Sequence, residues 1–221
     1  EATGVYWLPL FSVLEAAGLD VRMVNGRQTR NAPGRKTDMQ DSQWGSTLHM
    51  HGLLRAGFVP PADIRRLQDY LRLRADHVGQ AGSCVQLMQK ALERMNVKLH
   101  DAISSLAGAS GMAVMRAIVA GERDPAALLA LCDVQIRRAK AELVKETLRG
   151  TWSDEHIFAL EQALQSWDHY QRLIAECDRR IESVLPPHDP TLPPLAGPAK
   201  RGGANAPEIG MLREILAHMC S

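Results

Sequence analysis

The chain has few aromatic residues and almost no net charge, and both shortages limit what it can be. Aromatic residues make up 5% of the 221 residues, while leucine and alanine are abundant, and this composition favours helices over strands. The formal net charge is +1, so the chain is not a polycation. Any contact with nucleic acid must therefore come from local basic patches.

Cysteine pairs and long apolar runs are also missing from the sequence. The four cysteines are scattered with no C-x-x-C spacing, which argues against a zinc site or a disulfide framework and suits a reducing cytosol. No uncharged run approaches the length of a membrane span, and no basic start precedes an apolar block. We therefore expect a cytoplasmic protein that has no signal peptide and no membrane partner.

Two long stretches carry apolar residues at alternating spacings of three and four. They cover residues 64–99 and 157–184, and the second contains a three-residue slip from Trp167 to Tyr170. Such heptads predict a coiled coil or a long helical hairpin, and the slip is a stammer. Short helices are expected between them, at residues 111–121, from Asp124-Pro125 onwards, and at residues 136–148. The two long helices form an antiparallel arm or offer their seam to a second copy of the chain.

The first 60 residues predict a different order of elements: turn, helix, glycine, strand, loop and helix. An amphipathic helix over residues 5–17 ends at Gly18, and residues 20–25 read as a short buried strand. This order is typical of an α/β layer, in which a right-handed crossover joins parallel strands. Glu1 stands at the carboxyl end of a preceding strand in that arrangement, at the edge where α/β sheets place their sites.

Asp38 and Asp41 follow Thr37, which is a candidate N-cap for the next helix. Three residues apart, the two carboxylates share a helical face, and they repel each other unless a cation lies between them. One interpretation is a site for Mg²⁺ or Mn²⁺ shared with a phosphate. The other is that two acids in a first turn are ordinary helix-start residues.

Basic residues cluster in two places. The loop before Thr37 contains four of them, and the first long helix carries others, two of which are candidates for nucleic-acid contact: Arg27, Arg30, Arg35 and Lys36 in the loop, and Arg72 and Arg74 in the helix. Basic side chains next to three carboxylates are suited to binding a phosphate backbone, because the cations contact the phosphates while the carboxylates hold metal ions. The alternative is a solvated loop and a solvated helix face.

Taken together, the motifs in the first part of the chain resemble the DEDD transposases of the bacterial insertion-sequence family "one-ten", which are bridge-RNA-guided recombinases. The resemblance rests on the segment from Glu1 to Trp7, on Val24-Asn25, on the residues from Gly34 to Asp41, and on the stretch 51–65. It extends to about Leu185, and its motifs are concentrated in residues 1–74.

The resemblance implies an incomplete RuvC-like, ribonuclease-H-like catalytic domain at residues 1–60 and a helical coiled-coil arm at residues 61–185. Residues 186–207 are then a linker rich in proline and glycine, and residues 208–221 begin a further transposase domain that carries a nucleophilic serine. Glu1, Asp38 and Asp41 match the second, third and fourth acids of the family's Mg²⁺ site, and the first Asp is expected upstream of residue 1.

The leading hypothesis is therefore a DNA transposase or recombinase that cuts and transfers strands with Mg²⁺, is guided by RNA, and assembles as a dimer or higher homo-oligomer at the bacterial nucleoid. Since motifs are expected beyond both ends, we expect an inactive fragment. One alternative is a non-catalytic helical module for nucleic-acid binding or dimerisation. Another is a metal nuclease of the Holliday-junction resolvase type, which usually lacks so long an arm.

Overall fold

The computed structural model describes the backbone of residues 6–25 and 38–185, and the side chains of the same residues except 38–41. The chain divides into two compact units, Glu1–Ala62 and Asp63–Ser221. The helices of the described part are α1 (Trp7–Ala16), α2 (Asp38–Met50), α3 (Ala62–Arg94), α4 (Leu99–Ala102), α5 (Ala109–Val119), α6 (Pro125–Ala130), α7 (Val134–Ala139), α8 (Ala141–Thr147) and α9 (Asp154–Val184).

In the first unit, α1 ends where the sequence predicts. Gly18 has a φ of +77°, in the left-handed region that glycine enters without a steric penalty. Its N–H donates to the carbonyl of Glu15, and the N–H of Leu19 donates to that of Leu14, so the last carbonyls of α1 are satisfied. The chain therefore turns sharply after α1 into residues 20–25.

The prediction of a buried strand over residues 20–25 was wrong. This segment makes one isolated antiparallel bridge, between Val24 and Ala56, and the N–H of Gly57 donates to the carbonyl of Met23 at 2.7 Å. A strand needs a continuous ladder to a neighbour, and two adjacent contacts do not supply one. Residues 6–25 and 38–185 contain no strand, so the predicted α/β layer has no support in them.

The second unit is built on two long helices, α3 with 33 residues and α9 with 31. Arg74 of α3 contacts Asp178 of α9, and further along α3 His77 contacts Tyr170, so the helices run antiparallel. Nearly all the heptad positions predicted on both helices are buried or half-buried, which confirms the seam. The coiled coil stays a prediction.

The heptad pattern misplaced the end of the first long helix. It continues to Leu99, whereas α3 ends at Arg94 and Asn96 turns the chain with a φ of 56°. Asparagine tolerates this left-handed conformation better than most residues. Met95, Val97 and Leu99 are nevertheless fully buried, because the turn packs them against the short helices. The apolar spacing therefore predicted the burial of these residues correctly and the end of the helix incorrectly.

The short helices pack between the ends of α3 and α9 that lie nearest to each other in sequence. Asp124 caps α6 as predicted, and its carboxylate accepts from the N–H groups of Ala126 and Ala127 at 3.1 and 3.2 Å. The single helix predicted at residues 136–148 is instead two, α7 and α8, which meet at Lys140. The Lys140 ammonium donates to the carbonyl of Ala102 at 2.9 Å, an attachment that periodicity does not reveal.

The main hydrophobic core lies in this region, where the second half of α3 and the first half of α9 meet the short helices. Its largest fully buried members include Met88, Leu92, Met115, Ile118 and Leu160. Outside this core, the two long helices bury only the side chains of the seam between them. None of the helices in the described part is both long and apolar enough to cross a membrane. The expectation of a mostly helical protein is confirmed for that part of the chain.

Candidate functional site

Helix α2 carries the two aspartates of the predicted metal site in its first turn. The helix begins at Asp38, directly after the predicted cap, so the backbone positions of Asp38 and Asp41 both lie at its N-terminus. The side chains of both residues, Thr37, Glu1 and the four loop cations (Arg27, Arg30, Arg35 and Lys36) lie outside the described residues. The structure therefore fixes where the helix starts and leaves the predicted ligand set untested.

A cavity of about 520 Å³ lies beside the later turns of α2. Its polar lining comes from Ser46 and His49 of α2 and from Asp20 and Arg22 of the neighbouring segment. Asp20 and Arg22 are paired with each other at 3.1 Å and are largely exposed, so this pair stabilises the fold very little. The cavity thus brings polar groups close to the helix that bears the predicted site.

No group of three or more histidine, cysteine or acidic side chains within the described residues could hold a metal ion. Three cysteines are buried, at positions 84, 132 and 177. Burial raises the pKa of each thiol above its ordinary value of 9.0, because an apolar environment disfavours the thiolate. These cysteines are therefore poor metal ligands and poor nucleophiles.

Arg72 and Arg74, both predicted to contact nucleic acid, have different environments although they are two residues apart on α3. Arg72 is exposed and pairs with Asp69 at 3.2 Å, an arrangement that leaves it accessible to a ligand. Arg74 is buried, and its Nε and Nη2 groups donate to the two carboxylate oxygens of Asp178 at 2.5 and 3.3 Å. The guanidinium of Arg74 is therefore used to join the two long helices, and its nucleic-acid role stays a prediction.

A groove of about 340 Å³ between α3 and α9 contains a basic residue that the sequence reasoning missed. Lys90 and Arg94 line it from α3, and Gln162 and Ser166 line it from α9. The sequence analysis predicted no role for Arg94. The spacing of four residues places the two cations on one face of α3, and this spacing was the available signal.

Comparison with known proteins gives one family match. Residues 1–97 match the model of the DEDD transposases of the IS110 type, a family described as "Transposase". The match covers the first unit and the whole of α3, and it includes the positions of Glu1, Asp38 and Asp41. No curated protein and no solved structure matches the chain.

Proposed function

Because residues 1–97 match the DEDD transposase family model, we propose that the chain is a member of this family and that its first unit takes part in metal-dependent cleavage and transfer of DNA strands. The family match is the observation that carries the proposal. DNA is the partner that a transposase implies.

We propose that Glu1, Asp38 and Asp41 bind Mg²⁺ or Mn²⁺. Support comes from the position of α2, which begins at Asp38 and so brings two carboxylate-bearing residues into one first turn. A set of three carboxylates offers only oxygen ligands, which are the ligands that Mg²⁺ prefers. When bound, divalent cations polarise a phosphoryl oxygen and stabilise charge on the leaving oxygen. The positive end of the helix dipole stabilises the two neighbouring carboxylates by less than about 1 kcal/mol.

The basic residues of the loop before α2 have a complementary role in this proposal. Arg27, Arg30, Arg35 and Lys36 neutralise the phosphates of the DNA strand beside the metal site, and exposed Arg72 adds a further contact on α3. Such contacts position a nucleic acid and carry no sequence information. Sequence choice is left to base pairing with a guide RNA, as the family resemblance implies.

Self-association is proposed through the helical arm. The helix pair buries a single seam, and apolar side chains outside it remain exposed, among them Leu73, Leu87 and Phe158. Exposed apolar residues on long helices suit contact with a second copy of the chain. Sedimentation at several protein concentrations tests this, and a strictly monomeric chain at all of them contradicts it.

A metal-binding comparison separates the transposase from the alternative of a non-catalytic helical module. Mn²⁺ is titrated into the wild-type chain and into the variant Asp38→Asn/Asp41→Asn. The concentration of free Mn²⁺ is measured from its electron paramagnetic resonance signal. The matched control is Asp154→Asn/Glu155→Gln, because these two acids lie in the first turn of α9 and have no predicted ligand role. We expect binding to weaken at least tenfold in the α2 variant alone. Equal binding in all three proteins favours the helical module.

A further inference from the structure

We propose that the pair of long helices bends at a hinge part of the way along its length. The hinge region consists of residues 75–83 of α3 and residues 165–173 of α9. Three features coincide there: sparse packing between the helices, two glycines of α3 that no packing requires, and a break in the apolar seam of α9. The hinge rests only on packing within the second unit and does not depend on the proposed catalytic function.

The two segments of the hinge region lie opposite each other. Arg74 pairs with Asp178, and His77 contacts Tyr170, so the helices are antiparallel. Residues that follow His77 on α3 therefore face residues that precede Tyr170 on α9. The buried ion pair marks one end of the hinge region, and the main core, which begins at Cys84 on α3, marks the other.

Few side chains are buried in the hinge region. On α3, Ala81 is the only buried residue from 75 to 83, and on α9 no residue from 165 to 173 is buried. Half-buried rings cover the seam instead, and the rings of His77 and Tyr170 have their centres 6.1 Å apart. A segment with few buried contacts is one that a protein can deform at a low cost in free energy.

Gly79 and Gly82 weaken α3 at the same level. Both are exposed, and a Cβ added at either position meets no atom within 4 Å. Glycine has no side chain to restrict its backbone, so it makes a helix easier to distort. The hydroxyl of Ser83 donates to the carbonyl of Gly79 at 3.2 Å, and both this kind of bond and Gly/Ser pairs occur where helices bend. The backbone of α3 is therefore least restrained where its packing is sparsest.

Helix α9 has an irregularity of its own in the hinge region. Its apolar seam slips by three residues from Trp167 to Tyr170, and such a slip locally overwinds a helix pair. Between these two residues, Asp168 pairs with Arg116 of α5 at 2.6 Å, so the short helices hold α9 up to this level. Further along, the buried ion pair joins α9 to α3. The helix is thus attached on both sides of the slip.

A bend in the hinge region leaves both attached parts intact. The outer part, residues 62–74 and 174–184, keeps its buried seam and its ion pair, and the inner part keeps the main core. Rotation of two packed bodies about a few residues is a hinge motion, which takes microseconds to milliseconds. The outer part is also the one that follows the first unit in the sequence, so the hinge separates that connection from the main core.

The first test is hydrogen exchange of the whole chain, followed residue by residue by NMR and corrected for the intrinsic rate of each amide. Amides 80–86, whose helical hydrogen bonds span the two glycines, should exchange faster than amides 88–94 beside the core. The variant Gly79→Ala/Gly82→Ala should slow exchange at 80–86 by about 20-fold, the factor that the helix propensities of two alanines and two glycines imply.

The matched control is Gly45→Ala. Gly45 lies in the interior of α2, and a Cβ added there also meets no atom within 4 Å, but this helix belongs to the first unit. The control should leave exchange at residues 80–86 unchanged. Melts followed by circular dichroism check that both variants are folded.

The second test separates bending from local opening of the helix. Spin labels are attached to cysteines introduced by Arg66→Cys and Gln135→Cys, which replace exposed residues on either side of the hinge region, after the four native cysteines are changed to alanine. Double electron–electron resonance then gives the distribution of label distances. The control pair, Gln86→Cys and Gln135→Cys, lies entirely on the core side. We expect a broader distribution for the first pair, and a narrower one after both glycines are replaced by alanine.

Four results would overturn the hinge. They are uniform protection along α3, exchange at residues 80–86 that ignores the two alanines, an equal effect of Gly45→Ala, and equal widths for the two label pairs. The last result would mean that α3 opens locally without bending. The comparisons within the wild-type sequence decide the matter even if the double alanine variant does not fold.

Discussion

At the scale of single residues, the Arg74–Asp178 pair has the largest predicted effect on stability. The two side chains are 8% and 16% exposed and are joined by two charge-assisted hydrogen bonds. Removal of one partner takes away this ion pair while the other charge stays buried, which is destabilising, whereas replacement of both by apolar groups of similar size is often neutral. The pair joins one turn of α3 to one turn of α9.

Asp178→Ala should therefore destabilise the chain by about 3 kcal/mol. The double variant Arg74→Met/Asp178→Leu should recover most of that loss, because it removes both buried charges together. Urea unfolding followed by circular dichroism measures both, together with Arg74→Met to complete the cycle. Equal stability of Asp178→Ala and the wild type would show that solvent already satisfies the guanidinium.

At the scale of elements, glycine has opposite effects in two helices. Gly79 and Gly82 lie in the interior of α3, and a Cβ added at either position meets no atom within 4 Å. Gly111 lies in α5, where an added Cβ would clash with the backbone carbonyl of Leu106. The first two glycines weaken their helix through backbone entropy alone, whereas the third is needed for close packing.

We therefore expect Gly79→Ala and Gly82→Ala each to stabilise the chain by up to about 1 kcal/mol, which is the difference in helix propensity. Gly111→Ala should destabilise it by about 1–3 kcal/mol, because the backbone of residue 106 must shift. Thermal melts of the three single variants test the contrast. Loss of stability in the α3 variants would show that these glycines serve a kink or a contact in the assembled protein.

At the scale of the whole molecule, the buried cysteines report on the packing of the second unit. Cys84 and Cys132 belong to the main core, and Cys177 lies on the seam of α9 near Asp178. Burial raises the pKa of all three thiols, and the charges of Asp178 and Glu176 add to the effect at Cys177. Reaction with a thiol reagent therefore requires the unit to open.

In a Cys220→Ser background, labelling of the native chain at pH 8 should be about 100-fold slower than in urea, or slower still, which corresponds to an opening free energy of about 3 kcal/mol. The rate in urea should rise with pH towards 9, since unfolded thiols ionise near their ordinary pKa. Both rates are measured from the absorbance of the thiolate that a disulfide reagent releases when it reacts with a cysteine. A Cys84→Ala/Cys132→Ala variant leaves Cys177 and so reports on the seam alone. Fast labelling of that variant would show that the helix pair opens independently of the core.

The sequence by itself determined the two long helices of the second unit and some of the helix ends in both units. The heptad seams, the turn at Gly18 and the cap at Asp124 were all predicted, because each depends on residues within a few positions of one another. Local propensity and periodicity act over such distances. The pairing of Asp38 with Asp41 came from the same local signals, whereas the complete ligand set with Glu1 came from the family resemblance, and the side chains of all three lie outside the described residues.

Only the tertiary structure decided the features that join distant parts of the chain. The predicted strand at residues 20–25 is reduced to a bridge with Ala56, because a strand depends on a partner ladder and not on its own composition. The partner of Arg74 on the seam, Asp178, lies 104 residues away in the sequence. Arg94 lines a groove because α9 folds back beside α3. Burial and charge pairing are properties of the folded surface, and so these contacts could not be predicted from spacing.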